Sequence, residues 1–356
     1  MYKILVGNKL ALGTKVSSAF FKPFKSRNMK NIFSLSIAVL SGLIILACNG
    51  KKQDFNVVPP APPLVVEVEP PGAPPKQWKE HWFEHVQLLN RVHYDTSVVV
   101  YYDGDVKAAV TWPKTYMAEA WNYTKKHYGK FGDDSRLFVV MHAGKYSGGH
   151  PGTYLSSNHD YRNVTDCGAS SFDAWLTGID NDIDLSTHEI GHIVEGASKG
   201  VKESPAFDIW HDSKWMEIYQ YDVYLGLNRT ADAQRWYAKM MGVSDNYPRA
   251  GTQWFKNWFL PIYDNYGKVK VLNGFFTMLS LHFPKRQITV QNKSYQEYTR
   301  KMNFGEFIHF WSGAAKTDLA PLALSAFGPK DEKGADWAPM LAKAQTDFPV
   351  ITSIYK

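Results

Sequence analysis

From residue 77 onward the spacing of apolar and polar positions changes character along the chain, and each change marks a new element. Residues 78–92 mix apolar and charged side chains at helical spacing, which predicts a first helix. Ser97-Val98-Val99-Val100-Tyr101-Tyr102 is a β-branched and aromatic run closed by Asp103-Gly104, the pattern of a strand and a turn. Residues 114–128 return to helical spacing, with Gly129 and Gly132 past the end. Arg136-Leu137-Phe138-Val139-Val140-Met141 predicts a second strand. Residues 144–171, rich in Gly, Ser, Asn and Asp, read as loop with room for one short edge strand. Beyond 185 the pattern is almost wholly helical, with helices expected over 185–198, 213–226, 230–241, 253–265, 268–281 and 303–314, and shorter ones near 319–326 and 337–346. The expected class is α+β: a small strand-containing part over 77–184 and a mostly helical part over 185–356, with the chemistry at their junction.

Upstream of residue 77 the pattern is that of an address. Residues 33–47 form a short apolar run that follows Lys30 and ends on Ala47 before Cys48. A basic flank, an apolar stretch and a small residue at the cut describe a secretory signal, and the run is short for a bilayer span of about 20 residues. Ile45-Leu46-Ala47-Cys48 resembles a bacterial lipoprotein signal, which implies cleavage before Cys48 and lipidation of that residue. The other reading is an uncleaved membrane anchor. Met29-Lys30-Asn31 is a normal start for such a signal, so residues 1–28 are either an early start or a long basic leader. Residues 1–47 are therefore leader and signal, and 48–76 a tether in which Pro59-Pro60-Ala61-Pro62-Pro63 and Pro74-Pro75 favour extended polyproline II. The folded domain is expected over 77–356, at the bacterial cell envelope, facing the periplasm or the exterior.

Composition changes this picture little. Hydrophobic residues make up 44% and charged residues 21%, the balance of a globular protein. Aromatics reach 15%, enough for a large core and a binding cleft. The net charge of +6 is concentrated before residue 53, where basic residues occur with no acidic one, so the rest gives no sign of nucleic-acid binding. Cys48 and Cys167 make no disulfide framework, and Cys167 reads as a small core or loop residue.

The candidate chemistry lies in His188-Glu189-Ile190-Gly191-His192. Four-residue spacing on a helix stacks both imidazoles on one face, where two nitrogens reach one Zn²⁺ at about 2.0–2.1 Å. Glu189 is rotated away from that line, placed to take a proton from zinc-bound water. Ser186 or Asp184 is the expected cap of this helix, and Gly196 and Gly200 mark its end. A chance His-Glu-x-x-His in a chain this long is on the order of one in a hundred. Ile190, Ile193 and Val194 make the helix a buried one, and buried histidines need partners. A catalytic site needs one more ligand. A metzincin would require a glycine at 195 and a histidine at 198, where this chain has Glu195 and Ser198.

The motif with a downstream Glu217 resembles the zincin metallopeptidase superfamily, gluzincin-like. The resemblance implies a strand-edged upper subdomain, a motif helix and a helical lower subdomain, with substrate across the cleft between them. It also implies a third ligand Glu on a following helix, and Glu217, acidic among apolar and aromatic neighbours, fits that role. Asp212 and His211 compete for it, Asp212 also as a helix cap, and Glu195, two turns on from His188, fits a partner of a ligand histidine better than a ligand. The family often carries an Asp four residues after the ligand Glu; here that place holds Tyr221, with Asp222 one step on.

The reaction expected is peptide-bond hydrolysis by Glu189-assisted attack of zinc-bound water, with His188, His192 and Glu217 holding the zinc. Tyr219, Tyr221, Tyr224, His282 and His309 are the candidate donors to the developing oxyanion, and the loop His142–Tyr154 is a candidate upper rim of the cleft. A peptide or protein substrate, including glycoprotein, a membrane partner through the lipid and a monomeric state are expected. The alternative is an inactive or glycan- or protein-binding lipoprotein on the same scaffold, for which exposed Trp210/Trp215 or Trp254/Trp258 would be the sign. Helical spacing of those pairs predicts core packing instead.

Overall fold

The computed structural model describes residues 69–212 and 214–356. The expectations for residues 1–68, including the leader, Cys48 and most of the tether, lie outside the described residues. The elements in chain order are β1 (Gln77–Lys79), β2 (Leu88–Tyr94), β3 (Val98–Tyr102), α1 (Pro113–Tyr128), β4 (Leu137–Ala143), β5 (Lys145–Gly152) and β6 (Asn163–Ala169). The helix α2 (Asn181–Ala197) follows, then β7 (Val201–Lys202), α3 (Phe207–Trp210), α4 (Lys214–Gly226) and α5 (Thr230–Met240). A π-helical turn (Phe255–Phe259) leads into α6 (Leu260–Asn265), and α7 (Val269–His282), β8 (Lys285–Val290), β9 (Lys293–Tyr298) and α8 (Phe304–Ala315) come next. The chain closes with α9 (Ala320–Phe327), α10 (Trp337–Asp347) and α11 (Pro349–Tyr355). The molecule is thus α+β, with a sheet-containing N-terminal region and a helical C-terminal region. Among the described residues no helix is long and apolar enough to cross a membrane.

Six strands form one sheet in the order β1-β2-β3-β4-β6-β5. Strands β3, β4 and β6 run parallel, while β1, β2 and β5 are antiparallel to their neighbours. Side-chain alternation divides the sheet between two cores. Val98, Val100, Leu137, Val139, Met141 and Cys167 face the main core, into which α1 and α2 also pack. Val99, Tyr101, Phe138, Val140 and Val164 face outward and are covered by Trp78 and Trp82. Cys167 is fully buried and free, as its sequence context predicts.

The expected helix over 78–92 is replaced by β1, β2 and the turn between them. Trp78 and Leu89 are cross-strand partners, so what reads as helical spacing is two short alternating runs brought together. Residues 144–171 carry two strands rather than one edge strand, and β6 lies inside the sheet. Its buried positions include Asn163, Thr165 and Asp166, polar residues that hide the strand from a hydrophobicity pattern. The hairpin β8–β9 and helix α11 are further elements the pattern does not show. Part of the expected tether also belongs to the folded body: Arg91 Nη2 donates to Glu69 Oε1 at 2.6 Å, and Tyr101 Oη to the Pro75 carbonyl at 2.7 Å.

The helical region packs around an aromatic core. Trp210 and Trp215 stack at 5.8 Å, and Phe275 stacks on Trp311 at 4.4 Å. Trp210, Trp215, Trp254 and Trp258 are all buried, so these pairs are core rather than an exposed glycan platform.

Candidate metal and catalytic site

Helix α2 lies between the sheet and α4, and this sandwich sets the orientation of the motif. Ile190, Ile193 and Val194 are fully buried in the main core. Gly191 lets α4 approach: a β-carbon there would stand 3.0 Å from the Tyr219 ring and 3.2 Å from Met216. The helix starts four residues earlier than expected, at Asn181, so neither Ser186 nor Asp184 is its cap. Asp184 is instead buried, accepting from Tyr224 Oη at 2.7 Å and from two nitrogens of Arg235 at 2.6 and 2.8 Å.

On the remaining face of α2 the two motif histidines converge, with Nε2 of His188 and Nε2 of His192 only 3.1 Å apart. Asp212 brings its Oδ1 to 3.3 Å from His192 Nε2, and the three donors fall within 4.8 Å of one another. Ligands at about 2.0–2.2 Å from a tetrahedral zinc stand about 3.3 Å apart, so this nitrogen, nitrogen and oxygen set fits zinc. His192 Nδ1 faces Glu195 Oε2 at 3.3 Å, and Glu195 Oε1 accepts from Trp210 Nε1 at 2.5 Å. Glu195 therefore orients the imidazole from behind, as carboxylates do for metal-binding histidines. Burial pushes His188 down to about 3, aided by the charge on His192. Burial also disfavours charge on His192, but Asp212 and Glu195 outweigh it and raise the group to about 10.

Glu189 is buried and turned toward strand β5. Gly149 is in contact with it: a β-carbon on Gly149 would lie 2.5 Å from Glu189 Oε1. The segment expected as a rim loop is thus an edge strand whose backbone touches the candidate base. Burial raises the Glu189 carboxyl to about 8, only partly opposed by His192, and its Oε2 is buried without a hydrogen-bond partner. Gly149→Ala is expected to displace this carboxylate and lower turnover about 100-fold with metal content unchanged, since misplacing a reacting group by 1 Å costs that much. Metal analysis beside a peptide-cleavage assay checks it.

Of the three third-ligand candidates the fold brings only Asp212 to the histidines. Glu217 is buried in α4 with Lys214 Nζ at 2.7 Å from its Oε1, and Lys214 also pairs with Asp245. Burial raises Glu217 to about 7 against the pull of Lys214, and the carboxylate is spent in that ion pair. His211 turns away, its Nε2 at 3.0 Å from Glu332 Oε2. Its backbone, at φ 52° and ψ −160°, is a conformation costing a non-glycine residue about 1–3 kcal/mol, and that reversal leads directly into Asp212. Asp222 accepts from Tyr123 and Tyr263 at 3.0 and 2.9 Å rather than orienting a histidine.

Several expected oxyanion donors are engaged elsewhere. Tyr219 pairs with Thr124 at 2.5 Å, Tyr224 with Asp184, and His309 Nδ1 with Tyr355 at 2.7 Å. Tyr221 packs among the rings of Tyr237, Phe255 and Tyr263, and His282 sits in the last turn of α7. Tyr247, which no sequence pattern marks, has its ring centre 4.1 Å from that of His211. Burial raises its hydroxyl, with the charges of Asp245, Glu217, Glu332 and Asp212 adding to the effect.

The molecule is thus an α+β protein in which a histidine pair and a carboxylate come together next to a buried glutamate. No family model and no curated protein matches this sequence. Among solved structures, the M1 zinc metallopeptidase from Deinococcus radiodurans is similar at 13% identity and a TM-score of 0.38, over 73% of this chain and 50% of that one. A functionally unknown conserved protein from Bacillus anthracis str. Ames is similar at 14% identity and a TM-score of 0.43, over 73% of this chain and 50% of that one. This chain spans about half the length of the solved chains it matches.

Proposed function

We propose that this chain is a zinc metallopeptidase held at the bacterial cell envelope through a lipid on Cys48. One observation carries the catalytic part: His188 Nε2, His192 Nε2 and Asp212 Oδ1 converge at zinc-ligand spacing beside the buried, unpartnered Glu189. His188, His192 and Asp212 would hold the zinc, in place of the Glu217 the sequence suggests. When bound, zinc would polarise a substrate carbonyl and acidify water. Glu189 takes the proton of the attacking water and returns it to the leaving amine. Glu195 keeps the His192 ring in place through Nδ1.

The setting of Glu189 supports a peptide substrate. Strand β5 is an edge strand with Ser147, Gly148 and Gly149 exposed, and Gly149 lies against that carboxylate. An extended peptide can pair with such an edge through backbone hydrogen bonds, which would lay a scissile bond next to Glu189.

The test is zinc content of the full-length chain beside Asp212→Ala and Glu217→Gln. Asp212→Ala is expected to lose the site's zinc and Glu217→Gln to keep it. The reverse result would restore Glu217 as ligand, and full retention by His188→Ala would remove the reading altogether.

A further inference from the structure

The outward face of the sheet carries a second gathering of ligand-type side chains, independent of the site above. Hydrophobic alternation along three parallel strands ends there in polar residues. After Val99 and Tyr101 comes Asp103, after Phe138 and Val140 comes His142, and after Val164 comes Asp166. The turn between β1 and β2 folds over this row and adds Glu80 and His85. All five are buried, and the side chains of Glu80, His142, Asp103 and Asp166 are fully enclosed.

We propose that Glu80, His85, His142 and Asp166 form a second metal site, for a divalent first-row transition ion such as zinc or manganese. The four residues can each offer one donor within 4.8 Å of the others, Asp166 facing His142 with Oδ1 and His85 with Oδ2. His142 Nε2 is 2.9 Å from Glu80 Oε1 and 3.1 Å from Asp166 Oδ1. His85 Nδ1 is 3.1 Å from Asp166 Oδ2 and 3.6 Å from Glu80 Oε1. Tetrahedral ligands at about 2.0–2.2 Å from an ion have edges of about 3.3 Å. Glu80 Oε1, His142 Nε2 and Asp166 Oδ1 have no partner in hydrogen-bond geometry despite these short distances. These ligand-type atoms lie within 4.8 Å of one another, and buried polar groups left without partners are costly unless something between them fills that role.

The surroundings match. Asp103 Oδ2 lies 3.1 Å from His142 Nδ1 and 2.9 Å from Lys145 Nζ, so a carboxylate fixes the ring from behind. The other oxygen of Asp103 accepts the backbone N–H groups of Asp105 and Val106 at 2.8 and 3.1 Å. Glu80 Oε2 accepts from the Gln87 backbone at 2.7 Å, leaving only Oε1 toward the centre. Trp82 Nε1 donates to Asp166 Oδ2 at 2.8 Å, and the His85 ring stacks on Tyr146 at 3.6 Å. Charge also balances: Glu80 and Asp166 neutralise a dication held with two neutral imidazoles, and Asp103 is matched by Lys145. Two imidazoles with two carboxylates suit zinc, manganese or iron better than calcium or magnesium.

The ion would tie the turn over 80–87 to the ends of β4 and β6 beside β5. His150 on β5 points to this side, its Nε2 at 3.1 Å from Asp166 Oδ2, while the adjacent Gly149 touches Glu189. The second site would thus brace the edge strand that contacts the candidate base.

The test strips the full-length chain with chelator, reloads it with Zn²⁺, dialyses it and counts zinc per chain. Wild type is expected to hold two, His188→Ala/His192→Ala one, His85→Ala/Asp166→Asn one, and the four-fold variant none. The His188→Ala/His192→Ala protein leaves every outward-face residue intact, so its result does not depend on whether the other variants fold. Zinc should also raise the melting temperature of that protein. If it holds no zinc and its melting is unmoved, the outward cluster is a proton-held ion network and the proposal falls. If wild type holds one zinc, kept by His188→Ala/His192→Ala and lost by His85→Ala/Asp166→Asn, the second site stands and the peptidase reading fails.

Discussion

Glu189→Gln is expected to lower peptide cleavage by about 10²–10⁴-fold while leaving zinc content unchanged. The amide keeps the shape of the side chain, so the contact with Gly149 and the packing of α2 are preserved. What it removes is the ability to accept the proton of the attacking water. The side chain is buried and its Oε2 makes no hydrogen bond, so the substitution breaks none there. A library of peptides, read by mass spectrometry at matched zinc loading, measures the ratio. Activity within threefold of wild type would mean that Glu189 is not the base, and that the histidine pair serves another chemistry.

Asp184→Ala is expected to destabilise the protein by about 3 kcal/mol. Asp184 is buried on α2 and holds a bidentate Arg235, with the Tyr224 hydroxyl on the same carboxylate. Truncating one member of a buried pair costs about 3–5 kcal/mol, much of it from the charge left behind. Arg235 keeps partial solvent access and a contact to Asp180 at 2.9 Å, which places the loss at the lower end. For a domain of this size the melting temperature should fall by about 5 °C, read by circular dichroism. A fall under 2 °C would show that Arg235 finds equal compensation from Asp180 and water.

The longer helices are readable because each carries an apolar face of its own. Expected helices over 114–128, 213–226, 268–281 and 303–314 correspond to α1, α4, α7 and α8 within a residue or two. The sheet was less readable. Strands β1 and β2 are short and gain their meaning from pairing with each other and with β3. Strand β6 buries Asn163, Thr165 and Asp166, whose partners come from elsewhere in the chain: Asn163 Nδ2 donates to the Phe131 carbonyl at 3.0 Å, and Asp166 meets Trp82 and His85. A buried polar strand is stable only with such partners, and no local pattern announces them.

The site divides the same way. Helical spacing alone puts His188 and His192 on one face with Glu189 beside them, and the apolar neighbours alone bury that helix. The choice of third donor was not local. Asp212, Glu217 and His211 are all ionisable and close in sequence, and only the chain reversal after α3 and the Lys214 ion pair separate their fates. Glu195 was suggested by its place on the motif helix, whereas its bond from Trp210 required α3 to pack behind it. By itself, then, the sequence determined the motif helix, the helical scaffold and the burial of the tryptophans, because these follow from periodicity along one element. The tertiary structure decided the sheet, the third donor, the strand against Glu189 and the outward cluster. Each of those depends on residues far apart in the chain meeting at a few ångströms, and only the folded chain fixes such distances.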